Sequence, residues 1–475
     1  MSGPAARPRL AAATEPVEQA LYEIRRKIYP RAVGGKFALW RWFFVWATQI
    51  VFYGLPWLVW NDRQAVLFDL VNRKFYIFGL VFWPQDIVYL TVLLIISAYS
   101  LFLFTAVAGR LWCGFACPQT VWTETFMWIE RVIEGERLKR IKLDQSPVGA
   151  RKVGLKAAKH GAWIALSLWT GFTFVGYFTP ITTLAGKVAG FGLGPWETFW
   201  ILFYGFATYG NAGWMREQVC KYMCPYARFQ SVMFDPDTMI VTYDGGRGEP
   251  RGARSKSADR KAKGLGDCVD CGICVQVCPT GIDIRDGLQY ECIGCAACID
   301  GCNQVMDKMN YPRGLIRYAT ENGLKQHYST RQMVKRVFRP RVLVYTAVLW
   351  AIILVSGLTL LNRVPVKVDV IRDRIATARA DDPVVENVYR LQVMNTSETA
   401  RRFEISASGL QGLSLEGEPQ PIAIGPASAR TIPVRLSAER ADARPGANTV
   451  VFTVKATSLD GQEIVVTEKA TFIVQ

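Results

Sequence analysis

The chain has 475 residues, enough for several domains, and half of them are apolar, with 15 Trp and 25 Phe. Its formal net charge is +16, which would fit a nucleic-acid partner, but the basic residues are distributed in blocks that membrane topology explains better. Two histidines, His160 and His327, leave almost no scope for a bis-histidine haem, and there is no C-x-x-C-H attachment site.

The first 36 residues carry seven Lys and Arg and no apolar stretch, so they read as a basic arm rather than a secretory signal. Five later segments are apolar over about 20 residues, the length a helix needs to cross a bilayer. They lie at roughly 40–60, 87–109, 160–180, 196–214 and 341–361. The fourth is diluted by Gly205, Gly210, Asn211 and Gly213, residues that let a neighbouring helix approach.

Lys and Arg number 8 through Arg41, 3 at 61–86, 10 at 110–159, 1 at 180–195 and 20 at 215–341. That alternation predicts arm inside, first loop outside, second loop inside, third outside and the long 215–340 region inside. The expected divisions are therefore an arm at 1–36, a four-span region at 37–214 with a cytoplasmic loop at 110–159, a cytoplasmic region at 215–340, a fifth span at 341–361 and an exported tail at 362–475.

Two matched motifs follow the second and fourth spans: Cys113-Gly-Phe-Ala-Cys117-Pro118 and Cys220-Lys-Tyr-Met-Cys224-Pro225, with Arg110 and Arg216 just upstream. An i, i+4 spacing puts both sulfurs of a pair on one helical face, and each proline takes the preceding cysteine out of helical geometry. The duplication implies two-helix units whose four thiols converge at one membrane face. Soft thiolates select copper(I), zinc or iron–sulfur clusters, and Met215 and Met223 offer thioethers nearby. Disulfide exchange, or inert packing of buried cysteines, would use the same residues. Gly190-x-Gly192-x-Gly194 follows no strand and reads as a turn, His160 begins a span at the interface, His327 is solvated, and Arg247–Lys263 reads as a flexible basic linker.

Next come two runs of C-x2-C-x2-C-x3-C: Cys268, Cys271, Cys274, Cys278, then Cys292, Cys295, Cys298, Cys302. Three cysteines wrap one cubane while the fourth reaches its neighbour, so the expected ligand sets are crossed. One [4Fe–4S] cluster takes Cys268, Cys271, Cys274 and Cys302; the other takes Cys292, Cys295, Cys298 and Cys278. Zinc also binds paired C-x-x-C, but eight cysteines in this doubled frame favour clusters, in a ferredoxin-like α+β domain at about 260–312. No nucleotide or flavin site is legible, so electrons arrive from another protein or a quinone. After residue 362 cysteine vanishes and short alternating runs begin: Val388–Met394, Arg402–Ser406, Thr431–Leu436, Thr449–Thr457 and Ile464–Val474, the pattern of an all-β, Ig-like sandwich.

The stretches Gly109–Trp122, Glu217–Gln230, Arg247–Gly252, Pro279–Asp286 and Arg26–Arg31 together resemble the CcoG (FixG/RdxA) family of accessory proteins for cbb3-type cytochrome c oxidase. The resemblance runs from about residue 20 to the C-terminus and is most specific over the cysteine motifs; the second run departs from a generic ferredoxin by ending Cys302-Asn303. It implies a polytopic inner-membrane protein that reduces Cu(II) to Cu(I), with Cys113, Cys117, Cys220 and Cys224 as the copper site. It further implies partners among oxidase maturation proteins, such as a copper-transporting ATPase. Two other readings compete: a quinol-linked ferredoxin subunit, which generally lacks an exported tail, and a non-catalytic assembly scaffold.

Overall fold

Two antiparallel apolar helices set the frame. The structure, a computed structural model, describes residues 27–256, 264–373, 383–458 and 461–474. Within the first of these stretches the helices are α1 (Lys36–Gly54), α2 (Ile87–Ala108), α3 (Leu111–Phe115), α4 (Pro118–Glu134), α5 (Arg137–Gln145), α6 (Ala150–Val175), α7 (Ile181–Ala189), α8 (Pro195–Thr208) and α9 (Pro225–Met233). Beyond them lie α10 (Ala297–Met309), α11 (Pro340–Leu361) and several single helical turns.

Among the described residues, α2 with the turn before it and α11 are long and apolar enough to cross a membrane. Each has 22 residues, about 33 Å at 1.5 Å per residue, which matches the hydrocarbon thickness. They pack on each other, with Tyr99 edge-on to Tyr345 at 5.9 Å. Ionic ties bind both ends of the pair. Asp86 ahead of α2 holds Arg363 at 2.6 Å and also Lys367, while Arg339 ahead of α11 donates to Ala106 O at 2.6 Å and Asp235 at 2.9 Å.

The other three apolar segments are helical but differ from expectation. Residues 40–60 shorten to α1, because Pro56 and the Val59–Trp60 strand end the helix early. The third segment starts ten residues sooner, at Ala150, so His160 lies inside α6 rather than at its start. The fourth is α8 followed by a π-helical stretch, Tyr209–Met215. There Gly171 and Gly205 let α6 and α8 touch: a Cβ on Gly171 would fall 2.2 Å from Ile201 O.

Residues 59–82 form a short antiparallel meander, not an open loop. It docks on the C-terminal domain. Val81 and Trp83 bury against Met394, Glu398 accepts from Arg63 at 2.5 Å, and Lys74 donates to Ala427 O at 2.8 Å. That domain is a sandwich of two four-stranded antiparallel sheets. One contains Arg401–Ser408 and Gly446–Ser458, the other Val384–Asn395 and Ser428–Glu439. Phe403, Phe452, Phe472, Tyr389 and Leu391 are fully buried between them. All five predicted strands are present; Val366–Arg372, Ser414–Gly417 and Ile422–Ile424 were not foreseen. The sandwich and the cysteine-rich region lie at opposite ends of the α2–α11 pair.

At the cysteine end, buried charges bind the chain together. Glu130 of α4, fully buried, accepts from Arg216 at 2.9 Å and Arg140 at 3.3 Å. Lys159 reaches Glu134 at 3.0 Å, and Lys156 and Lys27 both hold Asp144. The arm is thus strapped down from Lys27 onward: Arg31 N donates to Gln276 O, and Asp300 of α10 accepts from Ala38 N, acting as a carboxylate cap for α1. Desolvation pulls the Glu130 carboxyl upward, but Arg216, Lys159 and Arg140 outweigh it and hold it below its usual range.

Two outcomes follow from this network. Glu130→Ala leaves the charges of Arg216 and Arg140 buried without their carboxylate, each keeping only a backbone carbonyl, and is expected to cost about 3–5 kcal/mol, read as loss of thermal stability in detergent. Glu130 and Asp144 both titrate below their unfolded values. The stability they supply is therefore complete above about pH 5 and is lost progressively as pH falls further. Limited proteolysis at the arm should show it protected at about pH 5 and above, and increasingly released as pH falls toward about 2.

Candidate iron–sulfur and thiol centres

The two ferredoxin runs adopt the same backbone. Asp270 and Gly294 precede the second cysteine of each run, Gly272 and Ala296 follow it, and all four have positive φ, between 51° and 69°. These left-handed positions curl each loop around a common centre and launch the turn Ile273–Gln276 and helix α10. An antiparallel pair, Ile240–Tyr243 with Ile316–Ala319, closes the unit, so it extends well beyond 260–312.

Cys268, Cys271, Cys274 and Cys302 line one small gap, beside Tyr243, Arg285 and Met306. Cys278, Cys292, Cys295 and Cys298 line a second, walled by Val241, Ile282 and Ile284, with Cys274 at the boundary between the two. The last cysteine of each run thus stands at the other run's gap. Neither gap is lined by His, Asp or Glu, so the donors present are the all-thiolate sets that cubanes take. Cys271 is exposed and Cys295 buried, which gives the first gap a face to solvent.

Pro118 and Pro225 do not simply end a turn. Each is the first residue of the next helix, α4 or α9, and Cys117 and Cys224 are the extended residues in front of it. Cys113 lies in α3, whereas Cys220 lies in a π-helical turn, Val219–Met223. The repeat extends to the backbone. Gly109 and Arg216, each four residues before the first cysteine, have φ of 54° and 44° with ψ near −110°. By this alignment Arg216 corresponds to Gly109, not to Arg110, and it holds a conformation costly for a residue with a Cβ.

Side chains cross-link the two motifs. Gln119 donates to Asn211 O at 2.9 Å and Arg216 O at 3.1 Å; Arg110 donates to Ala227 O; Cys113 Sγ approaches Gln230 Oε1 at 3.5 Å. Burial pushes the Cys113 thiol up to about 11 and Cys220 to about 12, and neighbouring thiols of the set push the same way. Such thiols stay protonated at neutral pH until a soft metal displaces the proton.

Cys113 and Cys220 pack in one apolar cluster with Cys295, Cys298, Val277 and Ile293. The approach is at backbone distance. A Cβ on Gly114 would lie 2.8 Å from Cys295 N and Cα, and one on Gly294 would lie 3.1 Å from Arg110 O. Among the described residues no three Cys, His, Asp or Glu side chains stand close enough to ligate a single ion. That holds for the ferredoxin cysteines as well as for the four outer thiols. Met223 is 58% exposed, and neither it nor Met215 belongs to this cluster.

The chain is 37% identical over 461 residues to the nitrogen fixation protein FixG of Rhizobium meliloti, covering 88% of this chain and 87% of that one. It is 40% identical over 416 residues to protein RdxA of Cereibacter sphaeroides, covering 84% and 87%. The chain belongs to the FixG/RdxA family. Family descriptions match along this FixG relative: a 4Fe-4S binding domain at 90–135, a 4Fe-4S dicluster domain at 215–321, and an Ig-like fold at the C-terminal of FixG at 357–475. A crystal structure of a FixG-related protein from Vibrio parahaemolyticus, 25% identical, covers 23% of this chain and 97% of that one with a TM-score of 0.20. This member of the family is therefore a membrane-associated iron–sulfur electron-transfer protein. The match at 90–135 encloses Cys113 and Cys117.

Sequence reasoning did not single out Gly114 or Glu130. Gly114 sits inside a motif whose only evident requirement was its cysteines, and Glu130 carries no local signal. The basic stretch from Arg247 is not a free linker as far as it is described: Arg247 pairs with Asp267 at 2.6 Å and Arg254 donates to Gly266 O, bracing the first run, while residues 257–263 lie outside the described residues. His327 is exposed, and Gly190, Gly192 and Gly194 form the turn between α7 and α8, both as expected.

Gly114→Val should push the Cys295 loop away from the four thiols. The expected result is a changed electron paramagnetic resonance signal from one reduced cluster with the other unaltered. Cys278→Ser should perturb the cluster of Cys292, Cys295 and Cys298 and spare that of its own run; perturbation of its own run's cluster instead would contradict crossed ligation.

Proposed function

We propose that this protein is a multi-pass membrane reductase that converts Cu(II) to Cu(I) for the copper centre of a cbb3-type oxidase. Cys268, Cys271, Cys274 and Cys302 would hold one [4Fe–4S] cluster, and Cys278, Cys292, Cys295 and Cys298 the other. When bound, the clusters supply electrons one at a time, the stoichiometry of cupric reduction. Cys113, Cys117, Cys220 and Cys224 receive copper as substrate: thiolates favour Cu(I), so capture draws the reduction forward.

The observation that carries this reading is the packing of Cys113 and Cys220 against the buried cluster that contains Cys295, with Gly114 at backbone distance from Cys295. It leaves no protein layer between the second cluster's loop and the thiols. The exposed Cys271 gives the first cluster a face to solvent. With α1, α6 and α8 spanning beside α2 and α11, the Lys and Arg distribution puts the clusters in the bacterial cytoplasm and the β-sandwich in the periplasm, about 30 Å away across the bilayer. Oxidase maturation proteins, a copper-transporting ATPase among them, are the expected recipients of Cu(I).

One observation favours a second reading. The 4Fe-4S description at 90–135 encloses Cys113 and Cys117, so the four outer thiols would hold a third iron–sulfur centre. Iron analysis separates the two readings, since two cubanes contain eight iron atoms per chain and three contain twelve.

Anaerobic protein with reduced clusters should form Cu(I) from Cu(II), followed with a Cu(I)-specific chelator. Replacing Cys113, Cys117, Cys220 and Cys224 by Ser should reduce that rate at least ten-fold while leaving both ferredoxin cluster signals intact. An unchanged rate in the quadruple variant would remove copper from this site.

A further inference from the structure

A roomy cavity lies away from the thiols. It has a volume of about 410 Å³ and lies between the arm, α4, α5, α6 and the π-helical stretch. That is within the range of sites for small organic ligands. One wall is aromatic: His160 stacks on Trp214 at 5.8 Å, and Trp163 meets His160 edge-on at 5.2 Å. The other wall is polar, formed by Glu130, Asp144, Lys27, Lys156, Lys159, Arg216 and Glu217.

The charges on the polar wall are already spent on each other, as Lys156, Lys27 and Lys159 hold Asp144 and Glu134. What is left over is an acceptor. Glu130 is 0% exposed, its Oε2 takes both arginines, and its Oε1 has no hydrogen-bond partner. Lys159 and Lys27 stand 3.7 and 4.0 Å from it, beyond hydrogen-bond distance. His160 commits Nδ1 to the Tyr209 hydroxyl at 2.9 Å, and its Nε2 has no further partner among the described residues. An anion has no unpaired cation to meet here. A flat ring carrying hydroxyl donors has both a stacking wall and acceptors.

The cavity also adjoins the redox chain. Arg216 and Glu217 line both it and the narrow gap that reaches Cys220 and Cys295. Glu217 precedes Cys220 by three residues, a chain reach of at most about 11 Å. Trp214, 51% exposed, stands at its mouth, where the lysine-rich first turns of α6 give way to its apolar part.

We infer that this cavity binds a membrane quinol and oxidises it, making the quinol pool the electron donor of the protein. The quinol loses two electrons and two protons and becomes the quinone. The electrons reduce the two one-electron [4Fe–4S] clusters, Glu130 Oε1 accepts a hydrogen bond from the quinol while staying ionised, and the protons pass one after the other through His160 Nε2 to water past the exposed Lys27. This inference rests on the proposed ligation of the clusters but not on copper.

The test uses cluster-loaded full-length protein in detergent, without copper. A short-tailed ubiquinol or menaquinol should bleach the cluster absorbance within a mixing experiment, and a photoreactive quinone should label peptides containing Trp214 or His160. Trp214→Leu and His160→Gln should each slow quinol-driven bleaching at least ten-fold, while bleaching by dithionite and dithionite-driven copper reduction stay as in the parent. Absence of quinol-driven bleaching in protein whose clusters dithionite still reduces would overturn the inference and leave the copper reading standing. So would quinol-driven rates in both variants equal to the parent's. Displacement of the photoreactive quinone by phosphatidylglycerol vesicles without any bleaching would identify the cavity as a lipid headgroup seat and overturn it as well.

Discussion

The close approach of the Gly114 turn to the Cys292–Cys298 loop is the constraint on which the rest depends. Side chains there would keep the motifs apart, whereas glycine at 114 and at 294 brings backbone to backbone. Because of that contact the outer thiols and the second cluster's loop share one apolar cluster, and the ferredoxin unit lies against the helical region instead of hanging from it by a tether. The arm, Asp300 and the Glu130 network then hold the two bodies in that register. A charged network is a costly way to fasten helices, since each buried ion must be matched. Here it also surrounds the cavity beside the motif, so fastening and ligand chemistry draw on the same residues.

The duplicated C-x3-C-P unit shows how a repeat diverges once it is packed. Both copies keep a left-handed residue four positions before the first cysteine and a proline that starts the following helix. The first copy uses glycine at the left-handed position and a short α-helix. The second uses Arg216 there and π-helical turns on either side of it. Strain at Arg216 is matched by its ion pair with Glu130, the kind of compensation that keeps an unfavourable conformation populated. π-helical turns recur where function requires a locally altered register, and this one places Trp214, Arg216 and Glu217 around the larger cavity.

At the opposite end of the α2–α11 pair, the sandwich does not float on a linker. The 59–82 meander, Asp86 and the first strand of the sandwich interlock through Arg63, Lys74, Arg363 and Lys367.

Much of this was legible before any coordinates. Cysteine spacing is a local property that fixes how a loop wraps a cubane, and the crossed sets written from spacing are found among the cysteines that line the two gaps, with Cys274 lining both. Alternation found five strands of the sandwich because each buries one face; the three it missed are short or, in Val366–Arg372, directly follow the last helix. Hydropathy found α2 and α11, whose surfaces are apolar all round, but misplaced the ends of α1 and α6, where charge and aromatic residues mix. The sequence by itself therefore determined the doubled iron–sulfur cysteine frame, the apolar helices and the β-rich tail, each written in residues close together in the chain. Only the tertiary structure decided that Gly114 meets Cys295, that Glu130 gathers Arg140, Lys159 and Arg216, and that the meander docks on the sandwich. Those contacts join residues on separate elements, from 10 to 353 positions apart, and no local periodicity records them.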